Sequence, residues 1–369
     1  MPTTQYNEIL AKIQKVNPIN YGRTRNNLKG AVTQLSPYVS RGVISTKQIM
    51  EVVLSKGCKL SQCERLLQQL AWRDYFQRVG EAFPNLSEID VKRPQEHATD
   101  ELIPQVVLDA NTGISAVDDC INGLYQYGYM HNHVRMYVAS IVCNVGRSGW
   151  RNPGKWMYYH LLDADFASNF LSWQWVCGSF STKLYFANQE NINRYCETDD
   201  YGTFIDKDYR EFNALVVPDV LQEKTNIDLK TNLPETVAPQ LDANLPTVIY
   251  NYYNLDPVWR AEEKANRILL LEPSHFEKYP ISEMNLNFCL DLAKNIENIQ
   301  IFVGEFSDLE KLQADAQFIS KKHPLFSHYT GEKDERDWMF PEVVTSQPSF
   351  FKYWEKIMKT PTFKKIKIK

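Results

Sequence analysis

The stretch DADFASNFLSWQW, residues 163–175, sets two aspartates, an asparagine and two tryptophans in one short run. An apolar core does not select Asp163 and Asp165, and a solvated loop does not select Trp173 and Trp175. The stretch is therefore read as a place where carboxylates and indoles each have a partner. YMHNHVRMYVAS, residues 129–140, offers one. It reads as helical, with Asn132 and Arg135 three apart and Asn132 and Met136 four apart, hence on one face. A buried arginine needs a carboxylate, and Asp163 and Asp165 are available nearby in sequence. His131 and His133 are two apart on the same helix and point in different directions, so no metal site is expected.

Further upstream, QLAWRDYF (residues 69–76) puts Gln69, Trp72 and Arg73 on one long helix, with Gln69 and Trp72 sharing a face. Core packing of Trp72 is the alternative reading. YGRTRNNLKGAVTQLSPYVSRG, residues 21–42, combines basic residues with Thr33, Ser36 and Pro37. Hydroxyls, backbone amides and arginines just before a helix suit phosphate oxygens. A capped helix entry on a basic surface would look the same.

The chain has 369 residues, which suggests two domains of roughly 100–200 residues each. Its 43% hydrophobic content suffices for a sizeable core. No apolar run approaches the ~20 residues of a membrane span, and MPTTQYNEIL lacks the charged and apolar regions of a signal peptide. The 7 cysteines are scattered without a C-x-x-C pair, so neither zinc nor a disulfide framework is expected, and a reduced cytoplasm fits. The net charge of −4 argues against an indiscriminate nucleic-acid binder. Residues 1–196 carry 20 Lys and Arg against 16 Asp and Glu, and residues 197–369 carry 21 against 29. Only the first part could face a phosphate backbone.

The first part reads as helical throughout: VISTKQIMEVVL with Ser45 as N-cap, CERLLQQLAWRDYFQRVGEAF, GISAVDDCINGLYQYGYM, and NPGKWMYYHLLDADFASNF after a Pro153–Gly154 turn. Residues 197–245 are acidic, proline-rich and weakly periodic, and are read as a linker. Beyond them, TVIYNYY, RILLLEP and IQIFVGE are short strands separated by helices such as ISEMNLNFCLDLAKNI, which implies a parallel βαβ sheet. LFSHYTGEKDERDW adds a candidate strand and SFFKYWEKIMK a closing helix.

Five of these pieces together resemble the photolyases and cryptochromes: TQLSPY after Tyr21, QLAWRDYF, YMHNHVRMYVAS, GWRNPGKWMYYHLLDADFASN and SWQW. Their order and spacing are similar to the flavin-binding helical domain of that family. The resemblance implies an all-helical FAD-binding domain over residues 1–196. The linker then leads to a small Rossmann-like parallel-sheet domain over 246–369, similar to the family's antenna domain through strand patterning and the LEPSHF run. In the family the α/β domain comes first, so the order here is expected to be permuted. Whether an antenna chromophore binds is left open, with a purely structural role for the α/β domain as the alternative.

By the family's motif, Tyr21, Thr33 and Ser36, with Gln34 and Leu35 between them, would hold the FAD phosphates, and Gln69 and Arg73 would also line the cofactor. Asn132 and Arg135 would lie along the isoalloxazine, with Arg135 paired to Asp163. Asp165 would contact the adenosine or ring region, and Asn169 would face flavin N5. Trp173 and Trp150 would begin an electron-hopping chain. The family's third tryptophan falls near Val107, with Trp156 or a tyrosine as the candidate replacements. Trp72 and Trp175 would wall a lesion pocket floored by Met136. The family departures are Gln69, where dimer photolyases carry a glutamate; Val32, where a phosphate-loop threonine is expected; and Asn132, where (6-4) repair enzymes place a histidine.

The implied function is blue-light-driven repair of cyclobutane pyrimidine dimers, a photo-lyase activity in which reduced FAD passes an electron to damaged DNA bound on the positively charged helical domain. Photolyases are base-flipping enzymes. A cryptochrome-like photoreceptor without repair activity is the alternative. A flavoprotein that has lost DNA handling and serves a redox or scaffold role is the third reading.

Overall fold

The computed structural model describes residues 2–368 other than 215, 314 and 315. Its contacts divide into two compact units. One comprises residues 1–22, 33–84 and 230–369, and the other residues 23–32 and 85–229. The boundaries expected at 196 and 245 do not match this partition. Residues 33–84 pack with the C-terminal part because their longest helix finds its partners there.

The first unit is built on a five-stranded sheet. Its strands are β1 (Thr247–Tyr250), β2 (Asn266–Leu271), β3 (Ile299–Val303), β4 (Phe318–Lys321) and β5 (Glu332–Asp334). All neighbouring pairs are parallel, in the order β3-β2-β1-β4-β5. β1 and β2 are buried along their whole length, which is why they read as continuous apolar runs rather than alternating ones. The strand β4, FISK, is too short to stand out in the sequence pattern. The chain runs from β1 to β2 to β3 in one direction and resumes on the other side of β1 with β4. This reversal creates a crevice at the carboxyl ends of β1 and β4.

Helix α1, Thr46–Ser55, starts at Ser45, whose side chain accepts from Gln48 N while Gln48 reaches back to the Ser45 N–H, a complete capping box. Helix α2, Leu60–Ala82, is the long amphipathic segment. The closing helix α3, Phe350–Ile357, packs on it: Phe350 stacks on Trp72 with centroids 4.0 Å apart and planes 10° apart, and Tyr353 lies 5.6 Å from Tyr75. These ring contacts, together with the Asp74 carboxylate accepting from Met339 N at 3.0 Å, tie residues 33–84 to the C-terminal part.

The second unit is helical. Ser115–Tyr127 ends at Gly128, whose φ of +64° suits a left-handed cap that a Cβ would strain. Asn132–Ala139 runs on into a π-helical turn, Ser140–Val145. Arg151–His160 and Phe166–Val176 pack together where Gly154 leaves room: a Cβ there would lie 3.2 Å from the Phe170 ring. Part of the expected linker belongs to this unit. Lys224–Thr225 forms a two-residue antiparallel ladder with Ile103–Pro104, and Lys224 pairs with Asp100 at 2.8 Å. Among the described residues, no helix is long and apolar enough to cross a membrane.

Candidate functional site

In the helical unit the two aspartates of the signature take different jobs. Asp165 caps Phe166–Val176, accepting from Ser168 N at 2.8 Å, which stabilises a helix start that would otherwise leave N–H groups unpaired. Asp163 receives the Arg135 guanidinium, one nitrogen of which lies 3.0 and 3.1 Å from its two carboxylate oxygens. The Arg135 Nε donates to Met130 O at 2.8 Å, so the side chain is held at both ends. The Asp163 side chain is 7% exposed and the Arg135 side chain 20%, so the arginine is partly accessible. Burial, with His133 and Arg135 nearby, holds the His131 imidazole down to about 4, so Arg135 is the charged group here at neutral pH. Asn169 is buried and donates from Nδ2 to Gly154 O at 2.9 Å, which fixes the plane of its amide.

The remaining expected residues of this unit differ in exposure. Asn132 is exposed, Met136 half-buried, and Trp175 half-buried with its ring 5.9 Å from Tyr185. Trp173 and Trp150 are fully buried. Val107, at the expected third tryptophan, is also buried, and Trp156 donates to Tyr125 Oη at 3.2 Å.

Sequence reasoning missed the clasp around Trp150. Its indole Nε1–H donates to Asp90 Oδ1 at 2.6 Å. The same oxygen accepts from the Arg151 guanidinium at 3.2 Å and from Ser179 Oγ at 3.4 Å. Gln174, between the two tryptophans of SWQW, holds the loop that carries Asp90: its Nε2 donates to Leu86 O and Ile89 O at 2.8 and 3.1 Å, and its Oε1 accepts from Val91 N at 2.9 Å. Asp90 stands 60 positions before Trp150, so no local pattern marks it. Gln174 lies inside the SWQW run, but a glutamine between two indoles carries no local signal of a distant loop partner.

The other unit holds Tyr21, Thr33, Gln34, Leu35, Ser36, Gln69, Trp72 and Arg73. Tyr21, Thr33 and Ser36 are half-buried, Gln34 is exposed with φ +52°, and Leu35 is buried with its N–H 3.4 Å from Thr33 Oγ1. Gln69 is half-buried, and Trp72 has one face covered by Phe350. Arg73 donates to Ser40 Oγ and borders a cavity of about 100 Å³ at the sheet's switch point. Asn251, Tyr253 and His323 also line that cavity, with the Tyr253 and His323 rings stacked at 4.2 Å. Its volume is well below the ~300–1,000 Å³ of clefts that enclose a drug-sized ligand. Among the described residues no group of three or more His, Cys, Asp or Glu is placed to hold a metal.

The family described as the FAD binding domain of DNA photolyase matches residues 66–251, half of the chain. The chain belongs to this photolyase and cryptochrome family. FAD is the cofactor of that domain, and the helical unit's donor set suits it. Asp163 and Asp165 are buried, Asp163 is paired with a partly exposed arginine, and the buried Ser168 hydroxyl has no protein partner. A polar ligand would satisfy such groups in an otherwise apolar setting. Tyr21, Thr33, Gln34, Leu35 and Ser36 precede the matched residues. A deoxyribodipyrimidine photo-lyase of Agrobacterium fabrum is 33% identical over 156 residues, 41% of this chain and 33% of that one. A cryptochrome DASH of Idiomarina loihiensis is 29% identical over 167 residues, 43% of this chain and 37% of that one. The solved structure of a class III photolyase from Agrobacterium tumefaciens is 27% identical, with a TM-score of 0.44 over 52% of this chain and 42% of that one. The chain thus spans about a third of the length of the curated relatives it matches.

Proposed function

We propose that the protein is a light-driven flavoenzyme that repairs cyclobutane pyrimidine dimers in DNA. The observation that carries this reading is the partly exposed Arg135–Asp163 ion pair, together with the anchored amide of Asn169, within an FAD-binding family domain. The names of photo-lyase relatives point the same way. FAD, when bound, supplies light absorption and one-electron chemistry.

The chain's own residues do the rest. Arg135 offers a fixed positive charge that favours an anionic ring, and Asp163 keeps that charge oriented. Asn169 presents an amide that can donate or accept as the ring's proton inventory changes. Tyr21, Thr33 and Ser36, with the Gln34 and Leu35 backbone, serve the phosphates, and Asp165 the adenosine or ring region. Asn132, Gln69 and Arg73 line the cofactor. Trp173 and Trp150 relay electrons, and Trp72, Trp175 and Met136 receive the flipped lesion. The α/β part following the flavin-binding part, in an order permuted relative to the family, belongs to the same proposal, as does a cytoplasmic location. The small volume of the switch-point cavity favours a structural role for the α/β part over an antenna site.

A photoreceptor without repair activity is the second reading. Two observations favour it: Phe350 covers one face of Trp72, and Gln69 lacks the charge of a glutamate. The test is restoration of a thymine-dimer oligonucleotide under blue light by photoreduced protein. Intact thymines in the light and not in the dark are expected. A protein that binds FAD and restores none is a photoreceptor or another flavoprotein.

A further inference from the structure

Trp150 is fully buried, and Val107 is an aliphatic side chain where a further indole would carry an electron hole toward solvent. An oxidised Trp150 would find no indole at the third position of the expected ladder. It has instead a carboxylate: Asp90 Oδ1 lies 2.6 Å from its Nε1, at the short end for a hydrogen bond from nitrogen. We propose that Asp90 is the proton acceptor that traps the hole on Trp150 during photoreduction. The inference rests on the proposed Trp173–Trp150 relay.

Three features of the clasp support this role over a merely structural bond. The Arg151 guanidinium lies 4.9 Å from the centre of the Trp150 ring, so a positive charge on the indole is opposed by a neighbouring cation, and loss of the indole proton relieves that opposition. Arg151 has a second partner, Glu101 at 3.0 Å, so it keeps a counter-charge when Asp90 is neutralised. The Asp90 side chain is 18% exposed, which gives the captured proton a way to solvent. The loop geometry is fixed by Gln174 and by Gln95, which donates its N–H to Asp90 Oδ2 at 3.1 Å and accepts the Trp150 N–H at 3.1 Å.

One electron leaves the Trp150 indole for oxidised Trp173, whose own electron has gone to the photoexcited, oxidised flavin. The Nε1–H bond of Trp150 breaks and an O–H bond forms on Asp90 Oδ1. The products are a neutral indolyl radical and a neutral carboxylic acid. An external thiol can then reduce the radical while Asp90 returns the proton. Without the transfer, the hole on Trp150 recombines with the electron it left behind.

The test compares the FAD-loaded parent protein with Asp90→Asn, which keeps a hydrogen-bond acceptor but does not take the proton. After a blue flash, the parent should show the absorption of the neutral tryptophan radical, forming more slowly in D2O. Asp90→Asn should show the radical cation, faster recombination and a several-fold lower photoreduction yield. Independently of the flavin, the Trp150 indole proton should resonate far downfield and move upfield in Asp90→Asn. Should that variant not fold, the D2O effect in the parent protein decides. A neutral radical formed equally fast in D2O, or an unchanged radical in Asp90→Asn, would overturn the proposal. Trp173→Phe separates this from the relay itself: unchanged photoreduction in that variant sinks the relay, whereas lost photoreduction there with normal Asp90→Asn sinks only the role of Asp90.

Discussion

Trp150 and Trp72 are indoles that the sequence presents alike, each beside an arginine and aromatic residues, yet their surroundings are opposites. Trp150 is enclosed by a carboxylate, a guanidinium and a loop held by three side-chain hydrogen bonds from Gln174. Trp72 lies in a ladder of rings: Phe350 is stacked on it, with Tyr75 and Phe76 at 5.7 and 5.3 Å. A polar clasp changes how easily an indole loses an electron and where its proton goes. A ring stack supplies apolar burial plus ~0.5–1.5 kcal/mol of stacking, and little else until it opens. Residue type alone therefore does not separate a redox indole from a packing one; what covers it does.

The largest effect is expected at Phe350. It is 3% exposed, and truncating a buried phenylalanine costs ~3–5 kcal/mol through lost transfer energy and the cavity left behind. Phe350→Ala should lower the urea midpoint accordingly. It should also free one face of Trp72, so affinity for a dimer-containing oligonucleotide should rise relative to undamaged DNA. A stability loss with no gain in lesion preference would make Trp72 a packing residue and widen the contrast with Trp150.

Two positions after Trp72, burial pushes the Asp74 carboxyl up to about 6, against the opposing pull of the Thr46 hydroxyl, the Met339 N–H, Arg336 and Arg78. Its folded value lies above the ordinary one, so its contribution to stability is complete below about pH 4 and is lost as pH rises through 6. Holding the carboxyl at about 6 rather than near its ordinary value corresponds to ~2–3 kcal/mol. His275 in the same unit is held down to about 3 by burial, so its contribution runs the other way, present above the ordinary histidine value and lost as pH falls. The difference between the parent protein and Asp74→Asn isolates the carboxylate. Denaturant midpoints should converge at pH 4 and diverge by pH 7, with the variant relatively more stable at the higher pH. A constant difference across that range would show that Asp74 is not charged at a cost.

Local rules recovered much of this molecule. Ser45 is an N-cap because a hydroxyl followed three residues later by an amide side chain closes a capping box. Gly128 ends its helix because only a glycine adopts that backbone without strain. Arg135 has two candidate carboxylates in the sequence reading, Asp163 and Asp165, and the family resemblance selects Asp163, the one its guanidinium reaches. What remained hidden depends on distant partners. FISK is four residues long and reads as a strand only beside β1. Lys224 and Thr225 gain their ladder from Ile103 and Pro104. Phe350 reaches Trp72 across nearly the whole chain. Averaging hid one feature that was legible: residues 350–369 contain seven lysines and one glutamate inside a part counted as acidic.

The smallest effect tests the clasp from its far side. Gln174 is fully buried and its side-chain hydrogen bonds go to Leu86, Ile89 and Val91, so it acts through that loop. Gln174→Ala leaves two carbonyls and one N–H without partners, and such groups cost ~1–3 kcal/mol when they stay buried. The loop can relax toward water, so ~1–2 kcal/mol in the urea midpoint is the expectation. The more informative readout is the Trp150 indole proton, which should exchange faster and lose part of its downfield shift as Asp90 becomes less well held. Gln174→Glu sharpens this, because a carboxylate can accept from Val91 N but has no hydrogen for Leu86 O and Ile89 O. It should therefore behave like the alanine variant at neutral pH. If either variant loosens the loop while the indole proton stays unchanged, Asp90 is positioned by Arg151 and Gln95 alone, and the clasp is smaller than the hydrogen bonds suggest.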